Sequence, residues 1–184
     1  MKSAKRYPFL ALQQQRFTLH FSNQSSAAHT PAERDFYRWA WQALKNEYRR
    51  AQISIILLDE TEARAYNRDY RGKDYATNVL SFVLNEGEDL PALHFSDGLF
   101  GDLIICPQVV LKEAAEQDKT PAQHFAHLTL HGVLHLMGYD HIEDDEAEAM
   151  ETLEIRLLNQ LAYPNPYAQD EILHGRCPVE TEFF

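Results

Sequence analysis

Five of the chain's nine histidines fall between His124 and His141. Two of them, His131 and His135, stand four residues apart in a segment patterned as a helix, one turn apart on a single face. Two imidazoles so placed can chelate one ion. Gly138 ends that helix and lets the chain turn back, so His141 can supply a third nitrogen from outside it. Three neutral imidazoles, with a fourth position left for water, is the catalytic arrangement of zinc. A structural zinc would more often close with cysteine, and neither Cys106 nor Cys177 is near in sequence. His124 and His127 continue the same face and read as supporting or solvent-facing residues rather than ligands.

The spacing also fits the metallopeptidase pattern HExxHxxGxxH at its three histidines and its glycine. Gly132, however, stands where those enzymes carry the glutamate that acts as general base. This argues against peptide hydrolysis and leaves a metal site in need of another substrate.

The elements that must hold these residues can be read from pattern. Phe17, Leu19 and Phe21 alternate with polar residues as in a half-buried strand. Thr30-Pro31-Ala32-Glu33 predicts a helix start, with Thr30 as N-cap and Phe36, Trp39, Ala40, Ala43 and Leu44 on its apolar face. Residues 52–58 read as a buried central strand, 59–70 as a helix stopped by Gly72, and 77–84 as a third strand. A polar loop over 85–97 leads to a fourth strand over 99–106, ended by Pro107, and then to a helix over 108–117. Thr120-Pro121-Ala122-Gln123 repeats the capping logic and starts the histidine helix, which should run to about Met137. A last amphipathic helix over 144–161 carries Ala147, Met150, Leu153, Leu157 and Leu161 on one side. The expected fold is α+β: a single domain over 15–165, about four strands in a small mixed sheet packed with about five helices. Residues 1–14 read as a loose lead-in and 166–184 as a flexible tail.

The chain has 184 residues, enough to bury a core without disulfides, and two cysteines, which suits a reducing, cytoplasmic setting. No apolar run approaches the roughly 20 residues of a membrane helix, and the short stretch after Pro8 is not built like a signal peptide. Its net charge of −11 would repel nucleic acid if it were spread evenly. It is not. Residues 1–50 hold nine basic and three acidic side chains, whereas residues 81–184 hold four and twenty. Arg64, Arg68, Arg71 and Lys73 lie within ten positions. Seven acids between Glu143 and Glu154 read as a solvated helix face.

The segment HGVLHLMGYDH (131–141) resembles the signature of the YbeY family of metal-dependent endoribonucleases, and YRGKDYATNVLSF (70–82) resembles its second motif. GDLII (101–105) and the acidic stretch HIEDDE (141–146) are similar to it as well, so the likeness spans roughly residues 15–165. The resemblance implies a zincin-like domain with one zinc on His131, His135 and His141, and Arg71 as the catalytic residue outside the ligand set. It further implies cleavage of single-stranded RNA in ribosomal RNA maturation, at the 3′ end of the small-subunit RNA, and in ribosome quality control. The partners it implies are ribosomal RNA, the small subunit with its proteins and an assembly GTPase, with no DNA and no membrane. A dication and a forked guanidinium suit the charge that builds on phosphoryl oxygens. The general base stays open: Asp140 either orients a ligand or is solvated, and the RNA 2′-OH is an alternative nucleophile to water. Two other classes remain beside this one, a non-catalytic zinc-containing assembly factor and a different zinc hydrolase.

Overall fold

The computed structural model describes residues 16–84, 98–139 and 144–168. The expected 85–97 loop, Asp140 and His141 lie outside these residues. The element order is β1 (Phe17–Asn23), α1 (Glu33–Leu44), β2 (Arg50–Leu57), α2 (Glu60–Arg71), β3 (Val79–Val83), β4 (Gly98–Ile105), α3 (Pro107–Glu116), α4 (Pro121–Leu136) and α5 (Asp144–Gln160). The strands form one sheet in the order β1-β2-β4-β3. β1, β2 and β4 run parallel, and β3 is an antiparallel edge strand that sets Phe82 opposite Asp102. Among the described residues this is an α+β domain with five helices and a four-stranded mixed sheet.

Strand alternation sorts side chains to two faces. Ile53, Ile55, Leu57, Leu103, Ile105 and Val79 point into the main core, where they meet Phe36, Trp39, Phe125, Leu130 and Val133 from the helices. Leu80, Ile104, Ile56 and Phe82 form a smaller cluster on the other face. The buried aromatics interlock edge to face, Phe36 lying 5.2 Å from Trp39 and 6.0 Å from Phe125.

α4 sits at the centre of the helical layer and comes unusually close to the sheet. A Cβ on Gly101 would stand 2.7 Å from Leu136 Cδ2 and 2.9 Å from the Phe82 carbonyl oxygen. A Cβ on Gly132 would meet Leu103 and Val79 at 3.0 and 3.2 Å. Thus Gly132 faces the sheet, and Ser81 Oγ donates to its carbonyl at 3.2 Å. The Thr120 cap forms as expected, with the Gln123 N–H donating to Thr120 Oγ1 and Gln123 Oε1 accepting the Thr120 N–H. Gly138 follows with φ 90°, the left-handed turn expected of it.

The start of α1 differs from expectation. The helix begins at Glu33 with Ala32 at the cap, and the Asp35 carboxylate accepts the Ala32 N–H. Thr30 is drawn away instead, its Oγ1 accepting from Asn23 Nδ2 at the end of β1. Pro107 opens α3 rather than merely closing β4. The chain also stays packed beyond 165, since Pro166 is buried and Tyr167 bonds into the interior; residues 169–184 lie outside the described part.

At the head of α2, Asp59 does not cap its own helix. Its carboxylate accepts from Ser25 Oγ (2.6 Å), the Ser26 N–H (2.9 Å), Ser26 Oγ (2.8 Å) and Gln108 Nε2, tying β1's exit to α2 and α3. These donors, Ser25 first and then Gln108 and Ser26, hold its pKa well below the ordinary 3.8. A folded-state pKa below the unfolded one adds stability that is present above about pH 3.8 and lost as pH falls further. Asp59→Asn should therefore flatten the acid limb of the stability–pH curve below that point and leave its neutral and alkaline shape unchanged. Chemical denaturation at several pH values reads this directly; an unaltered acid limb would refute it.

Candidate metal centre

Four histidines, at 124, 127, 131 and 135, form a stripe along α4, with spacings of three, four and four that keep them near one face. The ring planes of His131 and His135 are almost perpendicular at 87°, with centroids 4.5 Å apart and their Nε2 atoms 3.0 Å from one another. On the far side of each ring, Nδ1 is committed. His131 Nδ1 donates to Glu154 Oε1 at 2.8 Å, and His135 Nδ1 donates to the Tyr139 carbonyl at 3.0 Å. Because a carboxylate and a carbonyl only accept, both rings carry their proton on Nδ1. In the neutral tautomers, two Nε2 lone pairs then face a common point. That arrangement calls for a cation between them, and two imidazole nitrogens on a tetrahedral zinc would stand about 3.3 Å apart. The pair fits one dication.

Glu154 is the residue that the sequence reading missed. It belongs to the acidic run expected to face solvent, yet it is fully buried, with 0% exposure. It accepts from His131 Nδ1, from His127 Nε2 at 3.2 Å and from the Tyr167 hydroxyl. Burial pushes its pKa up, but the hydrogen bonds from His127 and His131 outweigh this and bring it down to about 2. Burial pushes His127 the other way, below its usual value, against the pull of Glu154. The signal for Glu154 was present: it falls on the buried stripe of Met150, Leu157 and Leu158 in α5, which Leu161 continues just past the helix end. A carboxylate in register with an apolar stripe is a carboxylate held inside.

His127, His131 and Glu154 have ligand atoms all within 4.8 Å of one another, a group able to hold one metal ion. His124 is buried rather than solvent-facing, and its Nε2 lies 2.8 Å from Glu113 Oε2. Glu113 also accepts from Asn78 Nδ2 at 3.0 Å, which anchors the chain entering β3 to α3 and α4.

Arg71, the other predicted site residue, is the last residue of α2 and is exposed. The structure does not join it to the histidines by any contact among the described residues. Val79 and Ser81 of β3 face α4, while Phe82 lies under Tyr66 and Tyr70 of α2, so α2 and α4 flank β3 on opposite faces. Beside His135, a cavity of about 360 Å³ opens between Glu47, Tyr48, Met137, Gly138 and Tyr139.

An α+β domain with a histidine-bearing central helix, backed by a buried carboxylate, is the class that these features define. Comparison with known proteins sharpens it. The family model described as Endoribonuclease YbeY matches residues 20–162. An endoribonuclease YbeY of Neisseria meningitidis serogroup C is 77% identical over 171 residues, covering 93% of this chain and 99% of the relative. That of Chromobacterium violaceum is 52% identical, covering 94% of this chain and 100% of the relative. A solution structure from Thermotoga maritima has the same fold, with TM-score 0.55 and 22% identity over 90% of this chain and 100% of that one. The chain belongs to the YbeY endoribonuclease family.

Proposed function

We propose that this protein is a zinc-dependent endoribonuclease that cleaves phosphodiester bonds of single-stranded RNA. It acts in ribosomal RNA maturation, at the 3′ end of the small-subunit RNA, and in ribosome quality control, in the cytoplasm. The observation that carries the reading is the pair of Nε2 atoms, 3.0 Å apart, on rings whose Nδ1 positions are both locked. In this reading His131, His135 and His141 hold one zinc, and nitrogen donors of this kind suit that ion. When bound, the ion supplies Lewis acidity toward a phosphoryl oxygen or a water. The chain's own residues do the rest. Glu154 and the Tyr139 carbonyl fix the tautomer and aim of the two rings. Arg71 grips a non-bridging phosphate oxygen through its planar fork. RNA, the small subunit with its proteins and an assembly GTPase are the partners, and the acidic C-terminal half makes affinity for naked RNA weak and strongly salt-dependent.

His127, His131 and Glu154 are the competing ligand set. Glu154 already accepts three hydrogen bonds in a dry site, so its role is to orient His127 and His131 rather than to leave them for a metal. A peptidase is disfavoured further by the direction of position 132: a glutamate there would be driven into Leu103 and Val79, away from the histidines.

The test uses purified protein of measured zinc content and RNA spanning the 3′ end of the small-subunit RNA. Wild type should carry about one zinc per chain and cut the RNA. His135→Ala should lose zinc and cleavage together. His127→Ala should keep the zinc with affinity lowered about 10- to 100-fold. Retained zinc in His135→Ala with loss in His127→Ala would move the ion to the competing set, and cleavage by a zinc-free preparation would overturn metal dependence. A 2′,3′-cyclic phosphate product end would assign the nucleophile to the RNA's own 2′-OH.

A further inference from the structure

α2 carries two tyrosines on its solvent side, Tyr66 and Tyr70, one helical turn apart. Large aromatic side chains are seldom left this open, yet Tyr66 is 39% and Tyr70 67% exposed. Their rings are nearly parallel, with an interplanar angle of 11° and centroids 5.9 Å apart. Phe82 of the edge strand β3 braces both from below, edge-on at 5.1 Å from Tyr70 and 6.4 Å from Tyr66. Tyr66 stacks on the Tyr70 ring, and with two thirds of the residue exposed Tyr70 presents aromatic surface to a planar partner.

The surrounding charge selects that partner. Arg64 is neutralised by a two-pronged pair with Asp74, at 2.8 and 2.7 Å, and Arg68 by Asp69 at 2.8 Å. Arg71 and Lys73, which flank Tyr70 on its C-terminal side, are exposed and pair with no described residue. An exposed aromatic ring beside two cations that pair with no described residue matches a nucleobase followed by its phosphates, the recognition mode of single-stranded nucleic acid. A protein partner of apolar character would leave those two charges unmatched. The position is also right, because β3 is the edge strand: α2 flanks one of its faces and the histidine helix α4 the other. A single strand passing over this edge can touch both.

We infer that Tyr70, braced by Tyr66 and Phe82, is a base-stacking platform for the single-stranded RNA substrate, with Arg71 and Lys73 on the adjoining phosphates. This rests on the endoribonuclease reading and adds a binding site to it. The test is fluorescence anisotropy of the full chain with a labelled single-stranded RNA octamer, and with an octamer of the same length that carries ribose-phosphate but no bases. Tyr70→Ala should weaken binding of the RNA roughly 5- to 100-fold while the slope of log affinity against log salt stays unchanged. Tyr70→Phe, which keeps the π-face, should bind within about twofold of wild type. The abasic octamer should not distinguish wild type from Tyr70→Ala. Lys73→Ala should lower the salt slope by about 0.7. Thermal unfolding of Tyr70→Ala at the wild-type temperature shows that the fold is kept. Equal RNA affinity of Tyr70→Ala and wild type overturns the platform and leaves the aromatic face as a protein surface. Wild type that neither binds nor cuts RNA overturns the endoribonuclease reading itself, and the platform with it.

Discussion

Glu154→Ala should cost about 3–5 kcal/mol of unfolding free energy, the scale for removing one partner from a buried charged network. The carboxylate has no exposure and accepts from His127, His131 and Tyr167. Its low pKa means that those bonds are made to the ionised form. Alanine removes the acceptor that these three donors share in a place that water does not reach, leaving His127 Nε2 and the Tyr167 hydroxyl, 3.1 Å apart, to pair with each other, and it opens a gap between α4 and α5. Urea unfolding at neutral pH reads the loss. Glu154→Gln separates charge from shape: the amide keeps one acceptor oxygen but turns N–H groups toward a donor, so about 1–3 kcal/mol should go. Under the zinc reading, both variants should also bind the ion about 10- to 100-fold more weakly, because His131 loses the group that fixes its proton on Nδ1. A Glu154→Ala protein as stable as wild type would mean that the network is ornamental and that α5 has no part in setting the site.

This residue also shows why part of the site is hard to read from sequence. Two histidines four apart on a helix form a local fact, governed by helix geometry alone, and His131 and His135 do meet. The Thr120 cap and the turns at Gly72 and Gly138 are local in the same way. Glu154 is different. Its role depends on α5 packing against α4, a contact made across 23 residues, and within its own helix it is one acid among six. Only its register with Met150 and Leu157 set it apart, and composition hides register.

Thr30 failed as a cap for a similar reason, since Asn23 at the end of β1 competes for its hydroxyl. Sheet order is non-local by nature. That β4 lies between β2 and β3 follows from which faces are apolar and where the helices fit, not from the spacing of any one strand. Gly132 was legible as a missing general base, but the reason a side chain is excluded there, the approach of Leu103 and Val79, required the packed sheet.

Arg71→Glu should reduce cleavage by at least about 10²- to 10³-fold, the range for losing one preorganised donor to a developing oxyanion, with charge reversal adding repulsion of the phosphate. The same substitution should leave zinc content and thermal stability as in wild type. The second half follows from the structure: the side chain is exposed, it ends α2 just before Gly72 turns the chain at φ 69°, and it bonds to no described residue. A guanidinium held at a helix end with no partner among the described residues is available to an external anion. Arg71→Lys should retain part of the activity, because lysine restores the charge as a point but not the bidentate fork. Steady-state kinetics on a short RNA distinguishes the roles that remain. A fall in kcat at saturating RNA places Arg71 on the phosphate as charge develops, whereas a rise in KM alone would make it an anchor for the bound strand. Wild-type cleavage by Arg71→Glu would remove this residue from the reaction. Loss of zinc in that variant would show that Arg71 also supports the metal site, acting through β3, which α2 touches at Phe82 and α4 at Ser81.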